Sequence, residues 1–170
     1  MPGLDRPERP GSPWPAPVDV TERLQVAMNR HDLGALVGCF DPDYRSEQPI
    51  HPRRGFGGRA QVEKNWSALF DGVPDFHAEL LGSAVTDDTR WAEWHWTGTR
   101  ANGDALDMRG VTISVVRGGR IASARLYMEE VDAAGAGIDD SIRGLVEGGS
   151  LAHGGTRSPG GPATAVRDEG

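Results

Sequence analysis

The chain has 170 residues and a net charge of −7 at pH 7, with a pI near 5.2. That is the length of one ordinary domain, and the balance lacks the basic stripe that a nucleic-acid binder needs. A single cysteine, Cys39, excludes an intramolecular disulfide, and no Cys/His spacing matches a zinc site. The opening MPGLDRPERPGSPWPAP has no apolar core, and no later run is long enough to span a bilayer. A cytoplasmic protein with no membrane partner is expected.

In chain order, residues 1–17 are rich in Pro, Gly and charge and are expected to be disordered. A helix follows, with Asp19 or Thr21 as N-cap and Val20, Leu24, Ala27 and Met28 at helical spacing. His31-Asp32 breaks it, and Asp32 caps a second short helix with Leu33, Leu36, Val37 and Phe40 on its apolar face. Cys39 in that run reads as a buried thiol. Asp41-Pro42-Asp43 is expected to end the helix. Residues 44–48 read as a short strand stopped by Pro49, with Arg45 and Glu47 a solvated pair on an edge strand. Residues 49–59 (PIHPRRGFGGR) read as a solvated connector or, alternatively, as the rim of a site. A third helix is predicted over 60–71 with Val62, Trp66, Leu69 and Phe70 as its stripe. A strand over 76–85 follows, and Asp87-Asp88 turns the chain. Residues after 132 allow one or two helical turns, and 148–170 read as a disordered tail, leaving one α+β domain over 18–147.

The organising stretch is RWAEWHWTGTRANGDALDMRGVTISVVRGGRIASARLYMEE, residues 90–130. Asn102-Gly103 and Gly118-Gly119 are hairpin signals that cut it into three antiparallel strands, the first calling for positive φ at both central positions. Alternation puts Trp94 and Trp96 on one face and Trp91, Glu93 and His95 on the other. Val111, Ile113 and Val115 oppose Thr112 and Ser114. Arg125, Tyr127 and Glu129 oppose Ala124, Leu126 and Met128. No strand is cleanly apolar on one side, as a sheet with one face in water would be, so both faces are expected to meet protein or ligand.

These segments resemble the nuclear-transport-factor-2-like superfamily, in its SnoaL-like and ketosteroid-isomerase-like branches. MNRHDLGALVGCFDPDY is similar to the family's opening helix, break and second helix. GGRAQVEKNWSALF resembles its third-helix start, VPDF its P-D turn, WHWTGTRANG its strand into a hairpin, and RGGRIASARLYMEE its closing strand. The resemblance covers residues 20–130. It implies a cone-shaped α+β barrel, with a strongly bent antiparallel sheet wrapped around the N-terminal helices and enclosing a pocket. It also implies homodimers through the outer sheet face, where Val111, Ile113 and Val115 are expected to lie.

In the register that the resemblance implies, Trp94, Trp96, Thr112, Ser114, Arg125, Tyr127 and Glu129 point into the pocket, with Trp66 closing its wall. Glu129 then stands where SnoaL-like cyclases carry an Asp, with Glu130 one residue away. A carboxylate between aromatic walls gains basicity by desolvation, and Tyr127 could donate to an enolate oxygen. The competing reading of Glu129 is an ion pair with Arg125. His95, on the opposite parity, reads as interface packing. No metal and no cofactor is expected: Gly55, Gly57 and Gly58 follow no clear strand and lack a P-loop lysine. Two functions are expected to compete. One is a cofactor-independent isomerase, cyclase or lyase acting on a hydrophobic polyketide- or steroid-like molecule, with Glu129 and Tyr127 catalytic and Trp66, Trp94, Trp96, Thr112, Ser114 and Arg125 binding. The other is a non-catalytic small-molecule-binding or assembly domain. An epoxide hydrolase would need convergent polar groups around a water, which the sequence does not display.

Overall fold

The computed structural model describes residues 19–148. The two segments expected to be disordered lie outside the described residues, save Gly148. The chain divides after Val131 into two compact units.

In the first unit, α1 (Val20–Asn29) starts at Asp19, whose side chain accepts from the Thr21 amide at 2.9 Å. Its buried apolar residues Val20, Leu24, Ala27 and Met28 are those at helical spacing. Asp19 also pairs with Arg90 Nε at 2.7 Å. Burial alone would raise the Asp19 carboxyl, but its bonds to Arg90 and Thr21 outweigh that and hold it below the usual value. His31 takes a positive φ of 52° between the helices, and Asp32 caps α2 (Leu33–Gly38) by accepting from the Ala35 amide. The Cys39 thiol is buried and donates to the Ala35 carbonyl. Burial pushes its pKa up, with Arg23 offsetting part of the rise.

The sequence places Phe40 on a helix that Asp41-Pro42-Asp43 ends. In the structure α2 stops at Gly38, and Phe40 already opens β1 (Phe40–Glu47). Pro42 is accommodated because the register of β1 is irregular between Phe40 and Arg45, where no ladder donor is required. Then come a 3-10 turn (Pro52–Arg54), β2 (Phe56–Gly57) and α3 (Arg59–Gly72). Four long strands complete the sheet: β3 (His77–Thr86), β4 (Thr89–Thr99), β5 (Ala105–Arg117) and β6 (Arg120–Glu130).

The fold is α+β, with three helices packed through Leu24, Met28, Leu36, Val62 and Trp66 onto the core side of a six-stranded sheet. Strand order is β2-β1-β6-β5-β4-β3, so β2 and β3 are the edges. The sheet is mixed rather than wholly antiparallel, because β1 runs parallel to β6. Such a pair needs a long crossover, and the chain between β1 and β6 supplies it with α3 and the meander. β1 is thus an interior strand, not the edge expected for Arg45 and Glu47, although both side chains are exposed.

Two turn expectations meet different outcomes. Gly118 and Gly119 both take positive φ between the paired Arg117 and Arg120, as a two-residue turn of that hand requires. Around Asn102-Gly103 only Gly103 does so, and the loop from Arg100 to Asp104 is longer, closed by the Arg100 amide on the Asp104 carbonyl. Asp75 crosses to the end of β4, accepting from the Thr99 amide and hydroxyl. Those bonds hold its carboxyl below the ordinary value. Gly98, one residue before, leaves room for Val73: a Cβ there would sit 2.4 Å from Val73 Cγ1.

Asn29 ties the helices to the exposed edge of the sheet. Its amide donates to the Ala78 carbonyl at 2.9 Å and accepts from the Ala78 amide at 2.7 Å, while Gln25 reaches the same carbonyl. Ala78 is fully buried on edge strand β3, so these bonds satisfy groups that no further strand serves. His31 adds a second tie, donating to the Phe76 carbonyl and stacking on Phe70 at 4.5 Å.

The second unit holds α4 (Ile138–Glu147), which ends at Gly148 in the left-handed conformation. Ile138, Ile142 and Leu145 are exposed along it. No helix among the described residues is long and apolar enough to cross a membrane.

Asn29→Ala strips the partner from the buried Ala78 amide. A loss of about 1–3 kcal/mol is expected, read as a lower urea midpoint at unchanged slope.

Candidate functional site

A cavity of about 210 Å³ lies between the helices and the core side of the sheet. Leu24 and Met28 of α1 form one wall, and Val62, Asn65, Trp66 and Leu69 of α3 another. The sheet contributes Trp94 and Trp96 from β4, Thr112 and Ser114 from β5, Ile121, Ala124 and Leu126 from β6, and Phe40, Tyr44 and Ser46 from β1. Gln48 and Phe56, from the loop 49–59 and its flank, complete the lining. That loop is therefore part of the site as well as a connector.

Of the residues expected at the site, the structure brings Trp66, Trp94, Trp96, Thr112 and Ser114 together around the cavity. Arg125, Tyr127 and Glu129 are not among its lining residues, and the reason is a register shift. A plain two-residue hairpin at Gly118-Gly119 would set Thr112 opposite Arg125. Val116 does pair with Ile121, but Val115 pairs with Ser123, so Ala122 is an extra residue in a β-bulge. Beyond it Thr112 pairs with Leu126, Ser114 with Ala124 and Ile113 with Arg125. One inserted residue moves every later side chain to the other face. Ala124 and Leu126 thus face the cavity, and Arg125, Tyr127 and Glu129 share the outer face with Trp91, Val111 and Ile113.

On that outer face Glu129 pairs with His51 Nε2 at 2.8 Å rather than with Arg125. The neighbouring Glu130 binds Arg100. His95 bonds Asp107 at 2.8 Å and lies 3.9 Å from Glu79. Trp91 is 44% exposed, whereas Ile113, flanked by Trp91 and Arg125, is already buried within the chain.

The aromatic wall of the cavity belongs to a connected set that extends to Phe76, outside the lining. Trp66 packs edge-on to Trp96 at 5.7 Å and to Phe76 at 5.6 Å, and Phe76 packs on Trp96 at 5.8 Å. Each such pair adds about 0.5–1.5 kcal/mol beyond area burial. Trp94, 1% exposed, donates its indole N–H to Thr112 Oγ1 at 2.9 Å. Ser46 Oγ and Trp96 Nε1 are buried without a hydrogen-bond partner.

Tyr44 is the sole ionisable side chain among the lining residues. Burial pushes its phenol up, and the Ser46 hydroxyl, near it without completing a hydrogen bond, offsets part of the rise. The phenol is therefore neutral at physiological pH and can donate, but not abstract, a proton. Among the described residues no three His, Cys, Asp or Glu side chains are gathered as a metal site requires. Tyr44 and Ser46 have a trace in the sequence: Tyr44, Ser46 and Gln48 alternate with Arg45 and Glu47, so one face of this strand is uncharged.

The family model for the SnoaL-like domain matches residues 20–124, more than half of the chain. The chain belongs to the SnoaL-like family. Solved structures share its nuclear-transport-factor-2-like fold. IdmH of Streptomyces antibioticus, a candidate polyketide cyclase, is 22% identical, with a TM-score of 0.57 over 65% of this chain and 89% of that one. A protein of ketosteroid isomerase-like fold from Catenulispora acidiphila, in complex with trimethylamine, is 18% identical, with a TM-score of 0.55 over 65% and 85%. A protein of unknown function from Exiguobacterium sp. 255-15 is 15% identical, with a TM-score of 0.56 over 66% and 99%. At these identities the likeness is one of fold. No curated protein matches in sequence. The SnoaL-like match spans α1 to the first half of β6, which is the set of elements that builds the cavity.

Deleting Ala122 would restore the plain hairpin and turn Arg125 and Glu129 toward the aromatic wall. The variant is expected to lose cooperative thermal unfolding, while Ala122→Gly, which keeps the residue count, retains it.

Proposed function

We propose that this SnoaL-like chain binds a small, uncharged, largely apolar molecule in the cavity, without acid–base catalysis by a carboxylate. The observation that carries this reading is the lining: aromatic and aliphatic walls, three aliphatic hydroxyls, two amides and, among the described residues, no ionisable group besides a neutral phenol. An ionised ligand would lose its hydration there with no counter-charge in return. A carbon acid would find no base. The cavity volume lies below the roughly 300 Å³ at which drug-sized pockets begin. It exceeds the 150 Å³ of an engineered apolar cavity that holds benzene. One or two rings fit this range.

A second reading keeps the enzyme. Tyr44, a neutral donor beside the cavity, could polarise a substrate carbonyl as a ring closes, and the likeness to a candidate polyketide cyclase favours this reading. Glu129 and Tyr127 have no part in either proposal, because they stand on the opposite face of β6. Tyr44→Phe separates the two: binding is retained under both, and turnover of a cyclisable substrate falls about 10²-fold or more only under the second.

Tryptophan fluorescence checks the binding reading, since Trp66, Trp94 and Trp96 line the cavity. Naphthalene is expected to quench it saturably, and 2-naphthoate to do so at least tenfold more weakly. Ala124→Trp fills the cavity and is expected to abolish quenching. Equal binding of naphthoate, or quenching that survives Ala124→Trp, overturns the proposal.

We also propose that two copies pair through the outer sheet face. Its apolar residues Trp91, Val111, Ile113, Val115 and Tyr127 are rimmed by the polar His51–Glu129 and His95–Asp107 pairs, the anatomy of an interface with an apolar centre and polar rim. Trp91→Lys is expected to give monomers in light scattering. A wild-type protein already monomeric at micromolar concentration sinks this idea.

A further inference from the structure

The bond between Trp94 and Thr112 leaves one polar group of the lining half used. Trp94 of β4 stands opposite Gly110 of β5. Gly110 has no side chain in the way, and the indole N–H crosses to Thr112, two residues along β5, at 2.9 Å from its Oγ1. Trp94 is buried, so this bond satisfies a donor that water cannot reach. Thr112 is half-buried, and both residues line the cavity. A hydroxyl has one donor and two acceptor positions. The indole takes one acceptor position, and the Thr112 proton has no acceptor among the described residues. The side chains opposite Thr112 on the two flanking strands, Ala92 and Leu126, are aliphatic and offer none.

We infer that Thr112 is the hydrogen-bond donor that orients the ligand, and that it takes a carbonyl oxygen at the sheet wall of the cavity. Trp94 is the positioning residue. With an N–H already pointing at Oγ1, the hydroxyl proton has to turn away from the indole. An N–H donated into a hydroxyl also strengthens that hydroxyl as a donor, because bonds in a chain polarise one another. The group that completes the set is an acceptor with no proton of its own. The chemical class is therefore a neutral one- or two-ring ketone, its carbonyl against β5 and its apolar rings against Trp66 and Trp96. A carboxylate would also accept, but it would enter this lining without a counter-charge. This inference rests on the proposed binding role of the cavity and adds the functional group that the ligand presents.

The test compares tetralin with 1-tetralone, two-ring compounds that differ by one carbonyl, by quenching of tryptophan fluorescence on the full chain. Tetralin is the reference in every variant, and the readout is the ratio of the two affinities. Thr112→Val keeps the shape and removes the hydroxyl, and the ratio is expected to shift against 1-tetralone about three- to tenfold. Thr112→Ser keeps the hydroxyl and is expected to hold the ratio within about twofold of the wild type. Because Thr112→Val orphans the buried indole N–H, the comparison is repeated in a Trp94→Phe background, where neither partner is left unpaired. Trp66 and Trp96 remain there as reporters, and adding Thr112→Val is expected to shift the ratio in the same direction. A ratio that Thr112→Val leaves unchanged in both backgrounds overturns the inference while the binding role stands. So does a shift that follows Tyr44→Phe instead, or a wild type that binds tetralin alone. If neither probe quenches saturably, the binding role fails and this inference with it.

Discussion

The register of β6 is the constraint on which the rest depends. This strand lies between β1 and β5 and supports both the parallel and the antiparallel half of the sheet. Its bulge at Ala122 decides which alternate set of side chains meets the helices. With the bulge, Ala124, Leu126 and Met128 pack inward, and Arg125 and Glu129 lie on the outer face. Without it, Arg125 and Glu129 would face Trp94 and the core, at the cost of burying charges with no partners. The bulge is thus required by burial, and the uncharged character of the cavity follows from it.

Around that strand the remaining elements hold the cavity open. Asn29 and Gln25 fasten α1 to the edge at Ala78, and His31 fastens the α1–α2 junction to Phe70 and Phe76. Trp66 of α3 meets Trp96 of β4 at its ring edge. At the other end Gly110 lets β5 and β6 approach closely: a Cβ there would fall 1.9 Å from the Tyr127 carbonyl oxygen. Rigid aromatic walls and a sheet pinned on both sides favour a preformed site, which spares a ligand the cost of ordering it.

The outer face shows how the same alternation serves a second purpose. Displaced from the cavity, Glu129 meets His51 and anchors the loop after β1, whose neighbours Gln48 and Phe56 line the cavity from the other side. A residue with the look of a catalytic carboxylate is thus tied to the site through the backbone it positions.

Much of the fold was legible in the sequence because it rests on local rules. The Asp19 and Asp32 caps, the spacing of Val20, Leu24, Ala27 and Met28, and the Gly118-Gly119 turn each depend on residues within a few positions. So does the alternation that puts Trp94, Trp96, Thr112 and Ser114 on one face. The apolar set Ala124, Leu126 and Met128 was also visible, and it is the signal for the true inner face of β6. What only the tertiary structure decided is how those faces meet. The bulge at Ala122 leaves no mark in RIASARLYMEE, since small residues occupy both parities near it. The parallel placement of β1 beside β6, which brings Tyr44 and Ser46 to the cavity, joins residues some eighty positions apart. Period-two alternation says which side chains travel together along a strand; pairing between strands, settled by burial of the whole sheet, says which side is inside.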